Sequence, residues 1–140
     1  MGYIRLFADK DTFIQDRKTS DATAKAGPSA NFGASETLEI ANRLDPDGWS
    51  EHYIKRLLIQ FNLSSLTAAV SNGNIKSFIA SSVSARLKMF NVIHDQLNPE
   101  GFELNVYPVL SAWSEGAGTG PETSPLTGYA NWYHRKAGTL

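Results

Sequence analysis

Apolar residues take every second position over 56–61: Leu57, Ile59 and Phe61 share one face, and Arg56, Leu58 and Gln60 the other. That is the repeat of a β-strand with one wholly apolar side. The strand passes directly into Ser64-Ser65, a step suited to starting a short helix. With this strand included, seven strand signals fall near 3–8, 12–15, 36–41, 53–62, 84–93, 101–110 and 131–136, separated by turn-rich stretches. Ala85, Leu87 and Met89 in one of these runs, and Phe102, Leu104 and Val106 in another, are expected to join Leu57, Ile59 and Phe61 in the core. No alternation of strands with long helices interrupts the series, which predicts an all-β chain: a jelly-roll-like antiparallel β-sandwich.

Alternation lapses between 64 and 83, where Ser64 to Val70 and Asn74 to Ile79 predict one or two short helical turns at the edge of the sandwich. Residues 18–28, the Asp45-Pro46-Asp47-Gly48 turn and 114–127 read as surface loops. A jelly roll uses about eight strands, so the strand series above leaves an edge open, where another chain can add a strand.

At 140 residues the chain holds one ordinary domain, 1–140. A formal charge of −1 supplies no field to draw in nucleic acid or an anionic membrane, and neither is expected as a partner. There is no cysteine, which excludes disulfides, thiolate metal sites and a cysteine nucleophile. No stretch approaches the ~20 apolar residues of a membrane helix. Tyr3-Ile4-Arg5-Leu6-Phe7 begins a strand pattern where a signal peptide would carry a basic and then an apolar region. The expectation is a protein that folds in the cytoplasm where it is made.

Residues that could carry chemistry are scattered. His52, His94 and His134 have no metal-ligand spacing. Asp9, Asp11, Asp16, Glu36, Glu51, Glu103 and Glu115 read as solvated acids at strand ends, in place of a glycosidase pair. Gly116-Ala117-Gly118-Thr119-Gly120-Pro121 lacks the Lys-Ser/Thr of a phosphate loop. Asp45-Pro46-Asp47-Gly48 has the acids of a turn without the rest of a calcium loop. No catalytic residue, cofactor or metal is expected, and Asp9 and Asp11 are the nearest approach to a calcium site. Aromatic residues are the remaining candidates for contact with a ligand or partner: Trp49, Tyr53, Tyr129 and Tyr133, with Arg135 to hydrogen-bond a hydroxyl. Trp49 lies beside a turn and not within an alternating run, a fitting place for an interface anchor.

The stretch from Arg56 to Leu66 resembles the R-x-L-L-x-F-D-L-S-S-L signature of DNRLRE domains, with Asn62 where the pattern has Asp. Asp11-Thr12-Phe13-Ile14 is similar to the family's opening D-T-[YF]-I, and Asn31-Phe32-Gly33 with Leu38 and Ile40 to its N-[YF]-G turn and second strand. Ser84 to Phe90 resembles the A-x-L-x-L strand. Val106-Tyr107-Pro108-Val109 with Trp113, Glu115 and Gly116 resembles the V-Y-x-V…W-x-E-G segment. The resemblance spans roughly residues 3–135 and implies a β-sandwich of a kind found beside polysaccharide-active enzymes and in phage structural proteins. It leaves the family's further strands after Asn131-Trp132 unaccounted for. It assigns structural roles to Asn31, Gly33, Arg56, Phe61, Trp113, Glu115 and Trp132, with both tryptophans packing under the long loop.

The expected function is therefore a non-enzymatic virion structural protein of a phage: a decoration, collar, head-fibre or tail-associated component assembled in the host cytoplasm. Its partners would be other virion proteins or copies of itself. The alternative is a carbohydrate-binding module that presents exposed aromatics to a cell-surface or extracellular polysaccharide.

Overall fold

The computed structural model describes residues 3–16, 30–44, 52–75, 84–92, 101–120 and 129–136. Trp49, the Asp45-Pro46-Asp47-Gly48 turn and the second expected helical turn, at Lys76 to Ile79, lie outside the described residues. Among the described residues the fold is mainly β, with one short helix. Contacts divide the chain into two compact units, Ala8–Phe61 with Pro108–Leu140 and Met1–Phe7 with Asn62–Tyr107.

The first unit holds a three-stranded antiparallel sheet of β1 (Ala8–Gln15), β2 (Ala41–Leu44) and β3 (His52–Phe61), in the order β1-β3-β2. The alternating run of the sequence is the central strand, which suits its burial needs: β3 is flanked on both sides, and its residues from Ile54 to Phe61 are half-buried except Arg56. Phe13 stands opposite Leu57, Asp11 opposite Ile59 and Ala41 opposite Lys55. Directly opposed residues share a face, so Phe13 and Leu57 project together. They pack with Ala30, Phe32 and Leu38 into the buried cluster. The rings of Phe13 and Phe32 stack with centroids 4.1 Å apart at 22°.

Of the expected strand 3–8 only Ala8 joins a ladder, as the first residue of β1, which contains the expected strand 12–15. Asp9-Lys10-Asp11 looks like a polar break, yet the ladder continues through it because the register slips between Ala8 and Lys10. That slip is a β-bulge, which absorbs one residue and leaves the rest of the strand paired. The expected strand 36–41 is displaced to Ala41–Leu44.

In the second unit the exit from β3 leads into α1 (Ser64–Ser71). The side chain of Asn62 accepts the Ser64 amide at 2.9 Å, satisfying one of the donors that a helix start leaves open. Gly73, at φ 73°, ends the helix in the left-handed conformation that glycine adopts without steric cost, and its amide donates to the Val70 carbonyl. No residue of α1 is buried.

Residues 84–92 and 101–107 differ from expectation. They retain the alternation but join no ladder among the described residues, and Leu87, Met89, Phe102, Leu104 and Val106 are exposed. Alternation is a property of one segment, whereas a strand is completed by a neighbour that takes up its backbone bonds. Among the described residues no such neighbour lies alongside these segments.

Candidate functional site

Among the described residues of the sheet-bearing unit, the most organised polar cluster is centred on Asn31, which is fully buried. Its side-chain amide donates to the carbonyls of Glu115 at 2.7 Å and Ala130 at 2.9 Å. Its side-chain oxygen accepts the amides of Gly33 at 3.2 Å and Gly118 at 2.9 Å. An asparagine side chain has two donor hydrogens and two acceptor positions, so every one is used. The Asn31 carbonyl also accepts the Gly120 amide at 3.1 Å, and Ala34 donates to Gly118 at 2.9 Å. One side chain thereby fastens the turn after Ala30 to the loop after Trp113 and to the segment at Ala130.

The glycines around it let backbones approach more closely than a side chain would allow. A Cβ on Gly33 would stand 2.2 Å from the Glu115 carbonyl oxygen, and one on Gly118 2.4 Å from the Asn31 carbonyl oxygen. Gly116-Ala117-Gly118-Thr119-Gly120, which as a phosphate loop lacks its lysine, is the strip that wraps Asn31. Glycine at alternate positions is the signal for such close approach.

Glu115 carries the cluster to the sheet: its carboxylate accepts the Asp11 amide at 2.6 Å, on the outer side of β1. A charged acceptor makes this one of the stronger classes of hydrogen bond, and it occupies a donor that an edge strand would otherwise leave open. Trp113 is buried two residues earlier, with its neighbour Ser114 donating its amide to Arg135 and accepting from Ala130.

Asn131 organises the adjoining turn in the same manner. Its side-chain oxygen accepts the amides of Tyr133 and His134, both at 2.9 Å, and its backbone amide donates to the His134 carbonyl at 2.8 Å. Trp132, in that turn, receives the guanidinium of Arg56 over its ring at 5.0 Å. The structure therefore brings Asn31, Gly33 and Glu115 into one cluster and joins Arg56 to Trp132. Phe61 is separate, half-buried at the end of β3 opposite Ala8.

The ligand and metal candidates are dispersed. Tyr129 and Tyr133 are exposed on either side of the Asn131 turn, and Arg135 donates to the Ala112 carbonyl at 3.3 Å. Tyr53 lies in β3 opposite Arg43, and Trp49 is outside the described residues. Asp9 is exposed at the bulge and Asp11 is half-buried. Among the described residues no three His, Cys, Asp or Glu side chains converge as metal ligands, and no helix is long and apolar enough to cross a membrane. Asp16, by its sequence a solvated strand-end acid, accepts the Ile54 amide on its carboxylate while its own amide donates to the Ile54 carbonyl, closing the end of the β1–β3 ladder.

Compared with protein-family models, with curated proteins and with solved structures, the chain matches none of them.

Proposed function

We propose that this chain is a non-enzymatic structural protein of a phage particle, acting through contacts with other virion proteins or copies of itself. In this reading the three-stranded sheet is one layer of a jelly-roll-like antiparallel sandwich related to DNRLRE domains. The observation that carries it is the complete internal use of Asn31: the polar residues that the fold gathers most tightly are spent on holding loops together. Such a fully satisfied buried network rigidifies the loops it joins, which suits a chain whose work is to hold a fixed shape. Exposed apolar side chains at Phe90, Phe102, Val106 and Tyr107 add support, since extended apolar surface is the usual mark of a protein-binding face.

Mass spectrometry of particles purified from the source tests the proposal. The chain should be present as a regular, multi-copy component of a large particle. Recovery only as a lone secreted polypeptide would sink it.

The second reading, a carbohydrate-binding module, is favoured by the turn at 129–136. Asn131 fixes its backbone, and the exposed Tyr129 and Tyr133 flank it as rigid surfaces of the kind on which sugar rings stack. A polysaccharide array probed with the native chain and Tyr133→Ala examines this: loss of a retained glycan in the variant supports it, and an array blank for both opposes it.

A further inference from the structure

We infer that residues 84–92 and 102–107 form a self-association surface, in which each segment of one copy pairs antiparallel with the other segment of a second copy. The idea deepens the assembly reading, on which it rests, by naming the surface and its occupant. Both segments lie in one compact unit, and neither has a backbone partner among the described residues. Leu87, Met89, Phe102, Leu104 and Val106, which share the apolar alternations of the two segments, are 40–78% exposed, more than a folded chain leaves open without a use for the surface.

The second copy is selected by complementarity of pattern and charge. Segment 84–92 carries Ala85, Leu87 and Met89 at one alternation and Arg86 and Lys88 at the other. Segment 102–107 carries Phe102, Leu104 and Val106 at one alternation and Glu103 and Asn105 at the other. One antiparallel register sets Lys88 opposite Glu103, Met89 opposite Phe102, Leu87 opposite Leu104 and Ala85 opposite Val106, with Arg86 opposite Asn105. Opposed residues share a face, so this register sets three apolar pairs side by side and the Lys88 cation beside the Glu103 anion. Two-fold symmetry repeats the pairing, as a self-complementary interface requires. The resulting ladders then have apolar faces to pack against each other, closing a small double layer.

Surface area agrees with a dimer. Leu87, Met89, Phe102, Leu104 and Val106, 40–78% exposed in one copy, would be covered together with the backbone edges of both segments, building toward the roughly 800 Å² per partner of a standard interface. A hairpin folded within one chain would use the same register but leave its apolar face uncovered, and an isolated two-stranded hairpin is marginal in water.

The test is light scattering of the full chain over a dilution series, for the native protein, Lys88→Glu, Glu103→Lys and the combined variant, with circular dichroism to compare folds. Both side chains are exposed, so their exchange leaves the sheet-bearing unit intact. A concentration-dependent dimer is expected, weakened on the order of tenfold by either single change, because like charges then meet twice across the two-fold axis, and restored by the double reversal. A monomer at every concentration overturns the inference, as does a dimer indifferent to both single changes or one that the double reversal fails to restore. A monomer in solution that is nevertheless recovered as a regular component of particles would remove this surface and leave the assembly reading standing.

Discussion

Asn31 is the residue on which most separate pieces of chain depend, since its side chain reaches partners 84 and 99 positions away in sequence. Truncation to alanine would leave two carbonyls and two amides without partners in a buried place. Each unsatisfied buried group costs roughly 1–3 kcal/mol, so Asn31→Ala should lose about 3–5 kcal/mol after partial relaxation. Asn31→Asp keeps an acceptor for Gly33 and Gly118 but turns a second oxygen toward the Glu115 and Ala130 carbonyls, and should lose a comparable amount. Urea denaturation followed by tryptophan fluorescence reads both, and a midpoint unchanged in either variant would contradict the role given to this side chain. Gly33→Ala should behave likewise, through the clash with the Glu115 carbonyl and not through lost bonds. The sequence made Asn31, Gly33 and Glu115 visible only through the stretches that resemble DNRLRE motifs. It did not disclose that one residue bonds to both the turn and the later loop, because such partners are chosen by close approach in three dimensions. The alternating glycines at 116, 118 and 120 were the local trace of that approach.

At the scale of elements, β3 was legible because its alternation coincides with a central position, where both edges have neighbours and one face meets the aromatic cluster. Segments 84–92 and 101–107 alternate as regularly but join no ladder among the described residues, so periodicity specified their preference and not their pairing. The start of β1 was obscured for the opposite reason: a bulge broke the alternation without breaking the strand. The passage from β3 into α1 depends on a side chain as well as on propensity. Asn62 stands where the resembled pattern has Asp, and its oxygen still accepts the Ser64 amide. Asn62→Ala should weaken the helix by about 1 kcal/mol, in the range of lost end-capping side chains. Asn62→Asp should strengthen it by roughly 0.3–1 kcal/mol, because a negative charge favours the amino end of the helix dipole. Helical ellipticity across a thermal ramp distinguishes these outcomes. Equal helicity in all three proteins would mean that the bond contributes nothing to holding α1. Since α1 buries no residue, the change should remain local to the helix and its flanks.

For the whole molecule, stability must be unevenly distributed. The sheet-bearing unit joins an aromatic stack, a three-stranded ladder and the Asn31 bonds, and each of these depends on residues distant in sequence, so they should open together. Residues 84–92 and 101–107 have no comparable bonds among the described residues, and their amides should open freely in a lone copy. A formal charge of −1 provides little repulsion between copies, so apolar contact between them meets no long-range barrier. Hydrogen exchange measured at low and high protein concentration converts this into a prediction. The amides of Gly33, Ala34, Gly118 and Gly120, which donate within the Asn31 cluster, should exchange slowly at both concentrations. Those of 84–92 and 102–107 should exchange rapidly when dilute and become protected as copies associate. Rapid exchange at Gly118 and Gly120 in dilute protein would show that the cluster does not hold the loop. Concentration-independent protection of both segments would mean that they find their partners within a single chain.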